Sequence, residues 1–451
     1  MSHRGTFTIL MTARLYIIQP SHYQSRSNLT LQKVKRRNLV GLTLPYLAAL
    51  TPRDWHVTLI DEQLADIDFE APVDLVAVTT WTINSLRAYE IADQFRQRGV
   101  PVIMGGPHTY FYTDEAAEHS DAVGVGEGEE IWPIMLADAA GKRLKKIYRA
   151  DHLHDLKALP TPRHGLLDLR KYRWIKTFSI QSSRGCPFKC EFCSERFYLG
   201  DSYRYRPVED VVDEIKQVKA KNILFGDSNF AGKISHTMEL MEALIPLKVR
   251  WSALWSAYLC NDEKFMDLAK RSGLLHVNIG MESIDQNTLS GLNKRINKVK
   301  EYKEILHQLR RRGISYSLNF IFGWDTEKED IFTSTLAFLK EEKVPVAYFN
   351  VLTPHKGTPL FERMNVENRI IDIEHIGRWP GIHCHIKPMY CSPERLEHHV
   401  KRMYREFYSC FSILTRLPLP ITKANIASWV VNRSERKVSR AEGTMEDFDK
   451  Y

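Results

Sequence analysis

Short, almost wholly apolar runs alternate with stretches of helical period over the first third of the chain. Arg14-Leu-Tyr-Ile-Ile-Gln19, closed by Pro20, reads as a buried strand. His56–Asp61, Asp74–Thr79 and Pro101–Gly105 read the same way. Between them Leu44, Leu47 and Leu50 fall on one face of a helix, and Ser85–Arg98 is a second. Strands apolar at nearly every position are covered on both faces. With helices alternating, this predicts a parallel, doubly wound α/β sheet.

Leu159-Pro-Thr-Pro-Arg-His-Gly165 is a proline-punctuated connector, and the strand–helix alternation resumes beyond it. Six strands are predicted at Phe178–Gln181, Asn222–Gly226, Arg250–Leu254, His276–Gly280, Ser315–Phe322 and Ala347–Leu352, with helices between them. Farther on, Leu396, Val400, Tyr404, Phe407, Phe411 and Leu414 recur at helical spacing, with Lys401, Arg402 and Arg405 on the other face. That helix either packs across the barrel mouth or meets a membrane surface or lipid substrate. From Asn432 the chain is polar (Arg433, Arg436, Lys437, Arg440) and is expected to be loosely ordered. The expected divisions are 12–145, a linker over 146–176, a core over 177–360, and a mainly helical extension with a polar tail over 361–451.

A chain of 451 residues accommodates two or three domains. No run approaches the ~18 apolar residues of a membrane-spanning helix. The N-terminus is too weakly apolar for a secretory signal, and Met11 is an alternative start. Seven cysteines, three clustered and four scattered, do not form a disulfide framework, which places the chain in a reducing cytoplasm. The formal charge of +8 is modest for this length and gives no reason to expect nucleic acid.

The clustered cysteines carry the chemistry. Gly185-Cys186-Pro-Phe-Lys-Cys190-Glu-Phe-Cys193 sets three thiols at C-x3-C-x2-C spacing directly after a predicted strand. Soft thiolates at this density suit an iron–sulfur cluster or zinc. Three ligands on a four-iron cluster leave one iron open. The motif resembles that of the radical S-adenosylmethionine (SAM) enzymes, whose open iron chelates SAM and whose cluster cleaves it to a 5′-deoxyadenosyl radical. A structural zinc knuckle and buried unligated cysteines are the alternatives.

The resemblance implies a partial (β/α)6 barrel, with chemistry at the carboxyl ends of its strands. It assigns Cys186, Cys190 and Cys193 to a [4Fe-4S] cluster, and Phe192, Asp227, Asn229, Glu282, Ser283, Asn319 and Phe322 to SAM. Arg184 and Lys189 flank the thiolates and are expected to temper their charge. Thr353–Phe361 resembles the loop that ends the core in the cobalamin-linked branch. His383-Cys384-His385 with Cys391 is a weaker candidate for a second metal site.

The predicted strands of the first domain end in Thr79-Thr80-Trp81, Gly105-Gly106-Pro107-His108 and Gly124-Val-Gly-Glu-Gly128. Glycines there let a ligand approach backbone, and threonines offer hydroxyls. Together with the cysteine motif, they resemble the cobalamin-binding domain that precedes some radical SAM cores. The resemblance implies a Rossmann-like fold, with Thr79, Thr80, Gly105, Gly106, His108, Gly126 and Glu127 around cobalamin. Many such domains carry Asp-x-His-x-x-Gly after the first strand, with histidine on cobalt. Here Gln19-Pro20-Ser21-His22-Tyr23 lacks the aspartate and the glycine, so His22 is expected to be a surface-loop residue.

The implied activity is methylation of an unactivated carbon in a small molecule, a lipid or tetrapyrrole, using the cluster, SAM and cobalamin. An electron donor such as flavodoxin or ferredoxin is implied as partner. A cobalamin-dependent cyclase or other radical rearrangement, a cobalamin-free methylthiotransferase and a zinc-bound nucleic-acid module are the alternatives.

Overall fold

A computed structural model describes residues 13–24, 29–157, 159–379, 381, 383–417, 419, 421 and 425–440. Fifteen strands run in chain order: β1 (Arg14–Gln19), β2 (Arg37–Val40), β3 (His56–Asp61), β4 (Leu75–Thr79), β5 (Val102–Gly105), β6 (Ala122–Val125), β7 (Ile147–Arg149), β8 (Tyr172–Ile180), β9 (Ser183–Arg184), β10 (Arg204–Tyr205), β11 (Asn222–Phe225), β12 (Arg250–Trp255), β13 (Leu274–Glu282), β14 (Ser315–Phe322) and β15 (Val346–Val351). The first sheet has the order β3-β1-β4-β5-β6-β7 and is parallel throughout.

Its side chains alternate between two cores, as a pleated strand requires. Ile18, Val76 and Val78 pack with Phe95 under the helix Ser85–Gln97. Leu15, Ile17, Leu75 and Ala77 pack with Leu44, Trp132 and Met135, under the helices Thr43–Leu50 and Gly128–Ala140. The sheet is wider than the four expected strands. Ala122–Val125 and Ile147–Arg149 are each only three or four residues long, too short to show a pattern.

The second sheet curls into an open half-barrel with the order β15-β14-β13-β12-β11-β8-β2, again parallel. Its last member corrects the expectation of six strands drawn from one continuous segment. Arg37–Val40 comes from the first 145 residues yet pairs with β8, Leu39 opposite Thr177 and Val40 opposite Phe178. The two sheets are therefore stitched together by the chain itself, across the expected boundary.

The helix Pro393–Phe407 packs against the edge strand β15, not across the end of the barrel. Tyr404 Oη accepts from Phe349 N (2.9 Å); Tyr408 Oη accepts from Ala347 N (3.3 Å) and donates to Ala347 O (2.8 Å). The amphipathic reading holds for Leu396, Val400, Tyr404 and Phe407, which are buried. It fails for Phe411 and Leu414, which are exposed on a separate helix, Cys410–Arg416.

The polar stretch from Asn432 is no loose tail as far as it is described. It belongs to the helix Ile426–Val438, and Asn432 is fully buried, accepting from Arg416 (3.0 Å) and donating to Pro345 O (2.8 Å). Residues 441–451 and the alternative start at Met11 lie outside the described residues.

Candidate functional site

A cavity of about 490 Å³ lies between the two sheets. Thr79, Gly105, Gly106, Gly126 and Glu127 line it from the carboxyl ends of the first sheet, and Ser179, Gln181, Gly226 and Ser228 from the half-barrel. Tyr46, Trp81, Tyr110 and Tyr198 add aromatic walls. Ligands of open parallel sheets bind at this end of the strands.

The two glycines after β5 differ in what they do. Gly106 has φ +110°, and a Cβ there would meet Thr80 O at 2.7 Å and Thr80 N at 2.8 Å. Its glycine is demanded by the neighbouring strand rather than by a ligand. A Cβ on Gly105 would meet nothing closer than Gly124 O at 4.0 Å, so it would take up space on the cavity wall. Ser228 Oγ is a buried donor on that wall with no hydrogen-bond partner among the described residues. Backbone a ligand can approach, an unpaired hydroxyl and aromatic walls form a surface that a large corrinoid fits.

Two of the residues expected at this cavity, His108 and Thr80, lie elsewhere. His108 is fully buried and absent from the lining. The short helix Pro107–Phe111 carries its imidazole to Tyr89 Oη (2.6 Å) and Thr82 Oγ1 (3.2 Å), stacked on Tyr112. Burial, with Arg378 and Lys356 nearby, lowers its pKa to about 3, so it is neutral. Thr80 is also fully buried and off the lining. His22 is buried rather than on a surface loop. Its Nδ1 lies 3.4 Å from Gln63 Nε2, and burial and Arg37 lower its pKa to about 4.

Glu127 lines the cavity, but its carboxylate is already engaged. Arg204 donates to both oxygens (2.7 and 2.8 Å), His154 N donates to Oε2 (2.7 Å), and Arg184 lies 3.1 Å away. Arg184 also pairs with Glu129 at 2.7 Å, where Tyr46 donates as well. Burial pushes the Glu129 carboxyl up, but the Arg184 charge and the hydrogen bonds from Arg184 and Tyr46 together outweigh it and hold the group below its ordinary value. Arg184 thus turns away from the thiols to clamp the barrel onto the first sheet, contrary to expectation, and Lys189 is exposed.

The three thiols follow β8 and its extension β9. Gly185 makes the turn with φ +83°, and a Cβ there would clash with Ser202 O. Asp227 holds the root of this turn: it accepts from Ser182 N (2.8 Å) and from the hydroxyls of Ser182 and Ser183. Burial raises its pKa to about 6. The loop is then tied from several sides. Cys186 N donates to Gly200 O (3.1 Å), Asn293 Nδ2 to Lys189 O (3.1 Å), and Arg363 Nε to Glu191 Oε1 (2.8 Å). The Phe192 ring lies 5.5 Å from that of Trp324.

Burial raises the pKa of all three thiols, that of Cys193 to about 12. Lys294 opposes this in part, though burial still prevails. Its ammonium is buried, paired with Glu282, and lowers the pKa of Cys186 and Cys190. No three His, Cys, Asp or Glu side chains among the described residues are grouped to hold one metal ion. This includes His383, Cys384, His385 and Cys391. Three soft thiols on one loop, with a cation beside them, fit an iron–sulfur cluster.

Of the other SAM candidates, Glu282 stands out. It sits at φ +65° in a bulge between β13 and β14, an uncommon conformation for a residue with a Cβ. Asn319 bonds Asn278 across the same pair of strands. Asn229 donates to Tyr203 Oη (2.7 Å), and its buried Oδ1 has no partner among the described residues. Ser283 Oγ accepts from Asp285 N (3.1 Å) in a local turn.

Phe322 faces the other way. It packs 5.1 Å from Phe332 under the helix Ile331–Glu341, in the core outside the barrel. Strand alternation sends Asn319 to one side and Phe322 to the other. Lys294 and Trp324 were missed by sequence reasoning. Neither lies in a recognisable motif, and both reach the cysteine loop only because β13 and β14 end beside it.

A family model described as the radical SAM superfamily matches residues 180–339. The chain is 30% identical over 410 residues to the bacteriochlorophyllide d C-12(1)-methyltransferase of Chlorobaculum tepidum, covering 88% of this chain and 89% of that protein. It is 29% identical over 398 residues to the bacteriochlorophyllide d C-8(2)-methyltransferase of the same organism, covering 84% and 88%. Among solved structures, OxsB, a cobalamin-dependent SAM radical enzyme with aqua-cobalamin and SAM bound, superposes with a TM-score of 0.71 at 15% identity, covering 95% of this chain and 72% of that one.

Proposed function

The chain belongs to the radical SAM enzymes that carry a cobalamin-binding domain, and from that premise we propose that it methylates an unactivated carbon of a tetrapyrrole of the bacteriochlorophyllide class. The observation that carries this reading is the cavity where the glycine-bearing ends of the first sheet face the mouth of the half-barrel. On this reading residues 12–145 hold cobalamin, apart from the strand lent to the barrel. Residues 177–360 hold the cluster and SAM, and the described part of 361–451 supports the barrel edge. Bound in these places, the cluster and SAM supply one-electron radical chemistry, and cobalamin supplies a transferable methyl group.

The chain's own residues bind, orient and exclude water. Cys186, Cys190 and Cys193 would ligate the cluster, with the Lys294 cation beside them tempering the thiolate charge. Glu282, with Asn229 and Asn319, would accept and donate to the polar parts of SAM, while Phe192 on Trp324 gives a flat apolar wall for its base. Asp227 serves indirectly, by fixing the turn that carries Cys186. Gly105, Gly126 and Thr79 would lie against cobalamin, and the aromatic walls keep the space between the cofactors dry. The reading requires a one-electron donor of the flavodoxin or ferredoxin class and a reducing cytoplasm, which seven unpaired cysteines suit.

The test is anaerobic incubation of the reconstituted protein with SAM, cobalamin, a reductant and a bacteriochlorophyllide, followed by mass analysis. The expected product carries one additional methyl group, with 5′-deoxyadenosine formed alongside. A product with a new ring and no added carbon would replace methyl transfer with cyclisation; an unchanged tetrapyrrole would remove this substrate class.

A further inference from the structure

The floor of the half-barrel, where its strands begin, lies at the opposite end from the thiols. The segments entering these strands are basic. Lys219 and Lys221 precede β11, Lys248 and Arg250 enter β12, Arg271 precedes β13, and Lys343 precedes β15. All six are exposed, and none is in an ion pair among the described residues. Arg310, Arg311 and Arg312, before β14, differ in being paired with Glu342, Glu263 and Asp267. Basic residues at helix ends are common, because they complement the helix dipole. What sets this face apart is the apolar surface beside the charge.

At one edge β8 bulges before its pairing with β11 begins at Thr177. The bulge presents Trp174, which is 96% exposed, and Ile175, between Arg173 and Lys176. At the other edge, the helices Cys410–Arg416 and Ile426–Val438 are fastened to the start of β15, through Arg416 to Val344 O and Asn432 to Pro345 O. Here Phe411 (79% exposed), Leu414, Leu419, Ile421, Ile426 and Val430 face outward. They are six of the 21 large apolar side chains exposed among the described residues, within a stretch of twenty positions. From Cys410 to Arg440 the sole acidic residue is Glu435, and it is buried. Scattered exposed apolar residues need no explanation, but a cluster bordered by cations with no exposed acid does.

We propose that this floor docks on the surface of an anionic lipid bilayer. Trp174 and Ile175 at one edge, and Phe411 and Leu414 at the other, enter the headgroup boundary, while the loop lysines and arginines lie over the anionic headgroups. An acidic electron carrier is the other partner that such charge would attract. It is disfavoured by position, because a donor serving Cys186, Cys190 and Cys193 must approach the opposite ends of the strands. The strands β8 and β12 to β15, six to nine residues long at roughly 3.3 Å each, put the floor about 20–30 Å away.

Flotation of the full-length protein with vesicles tests this. Vesicles of phosphatidylcholine alone are compared with vesicles containing roughly one-third phosphatidylglycerol, at low and high salt. Binding is expected only to the anionic vesicles, weakening as salt rises. Lys219→Glu with Lys221→Glu should weaken it at least about 30-fold, at about fivefold for each lysine lost and more for the carboxylates that replace them. Trp174→Ser with Ile175→Ser should weaken it without changing its salt dependence. Both pairs are exposed, so circular dichroism melts should match the parent protein. Equal binding to neutral vesicles, or anionic binding untouched by both variants, overturns the proposal. Indifference to vesicles with salt-sensitive capture of a flavodoxin that Lys219→Glu abolishes would also overturn it, assigning the face to a protein.

Discussion

Cys186, Cys190 and Cys193 are the only three cysteines that lie within eight residues of one another. Changing the three to alanine should abolish iron and sulfide binding on anaerobic reconstitution. Changing Cys260, Cys384, Cys391 and Cys410 should leave both unchanged, as measured by iron and sulfide content. The glycine pair after β5 gives a sharper test of the first sheet. Gly105→Val should lose cobalamin absorbance in protein from cobalamin-fed cells while keeping the cluster and the melting temperature. Gly106→Val should instead destabilise the protein itself by at least ~1–3 kcal/mol, because a branched residue is forced to positive φ against the Thr80 backbone. If both variants melt normally and bind cobalamin, the cavity is not its site.

Elements owe their positions to interactions that cross them. As the edge strand of an open sheet, β15 would leave backbone groups unpaired, and the helix Pro393–Phe407 covers it with two phenols. Tyr408→Phe strands the N–H and C=O of Ala347 without their buried partner, and should cost roughly 1–3 kcal/mol in urea unfolding. A loss near zero would mean that water replaces the phenol.

The helix Ile426–Val438 carries a pH dependence. Burial pushes the Glu435 carboxyl from its ordinary 4.5 to about 7. Between those values the native state keeps a proton that the unfolded chain releases, so stability falls as pH rises from 4.5 to 7, by an amount on the order of 2–3 kcal/mol. Below 4.5 both states are protonated and the effect vanishes. Glu435→Gln should remove this slope from melting temperatures measured across that range. A variant with the parent's slope would place the titration elsewhere.

Over the whole molecule, the two sheets are joined by the shared strand β2 and by one buried charge cluster. Arg184, 8% exposed, pairs with Glu127 and Glu129, and Arg204 completes the set. Buried pairs contribute little relative to a well-packed apolar replacement, but removing one partner strands the other charge. Arg184→Met should therefore cost about 3–5 kcal/mol, and urea unfolding should separate into two transitions as the sheets lose their coupling. Arg184→Lys, which keeps the charge without the planar fork, should fall between. A single cooperative transition at parent stability in Arg184→Met would show that β2 alone couples the sheets.

The chain's own pattern determined the α/β class, the parallel sheets and most of their strands, and the thiol loop. Each of these is written locally, in apolar runs buried on both faces and in residue types whose chemistry does not depend on neighbours. Tertiary structure decided which side chains meet. Phe322 and Asn319 are equally placed at the end of β14, yet pleating sends one to the helices and the other toward Asn278. Arg184 adjoins the thiols in sequence but turns to Glu127 and Glu129, while Lys294, about a hundred positions away, supplies the nearby cation. The strand Arg37–Val40 shows the same limit. Four residues do not reveal which sheet they join, because that choice depends on the free edge β8 offers once the barrel has formed. Local pattern sets what an element is; the partner it meets is set by long-range packing, which no short window of sequence contains.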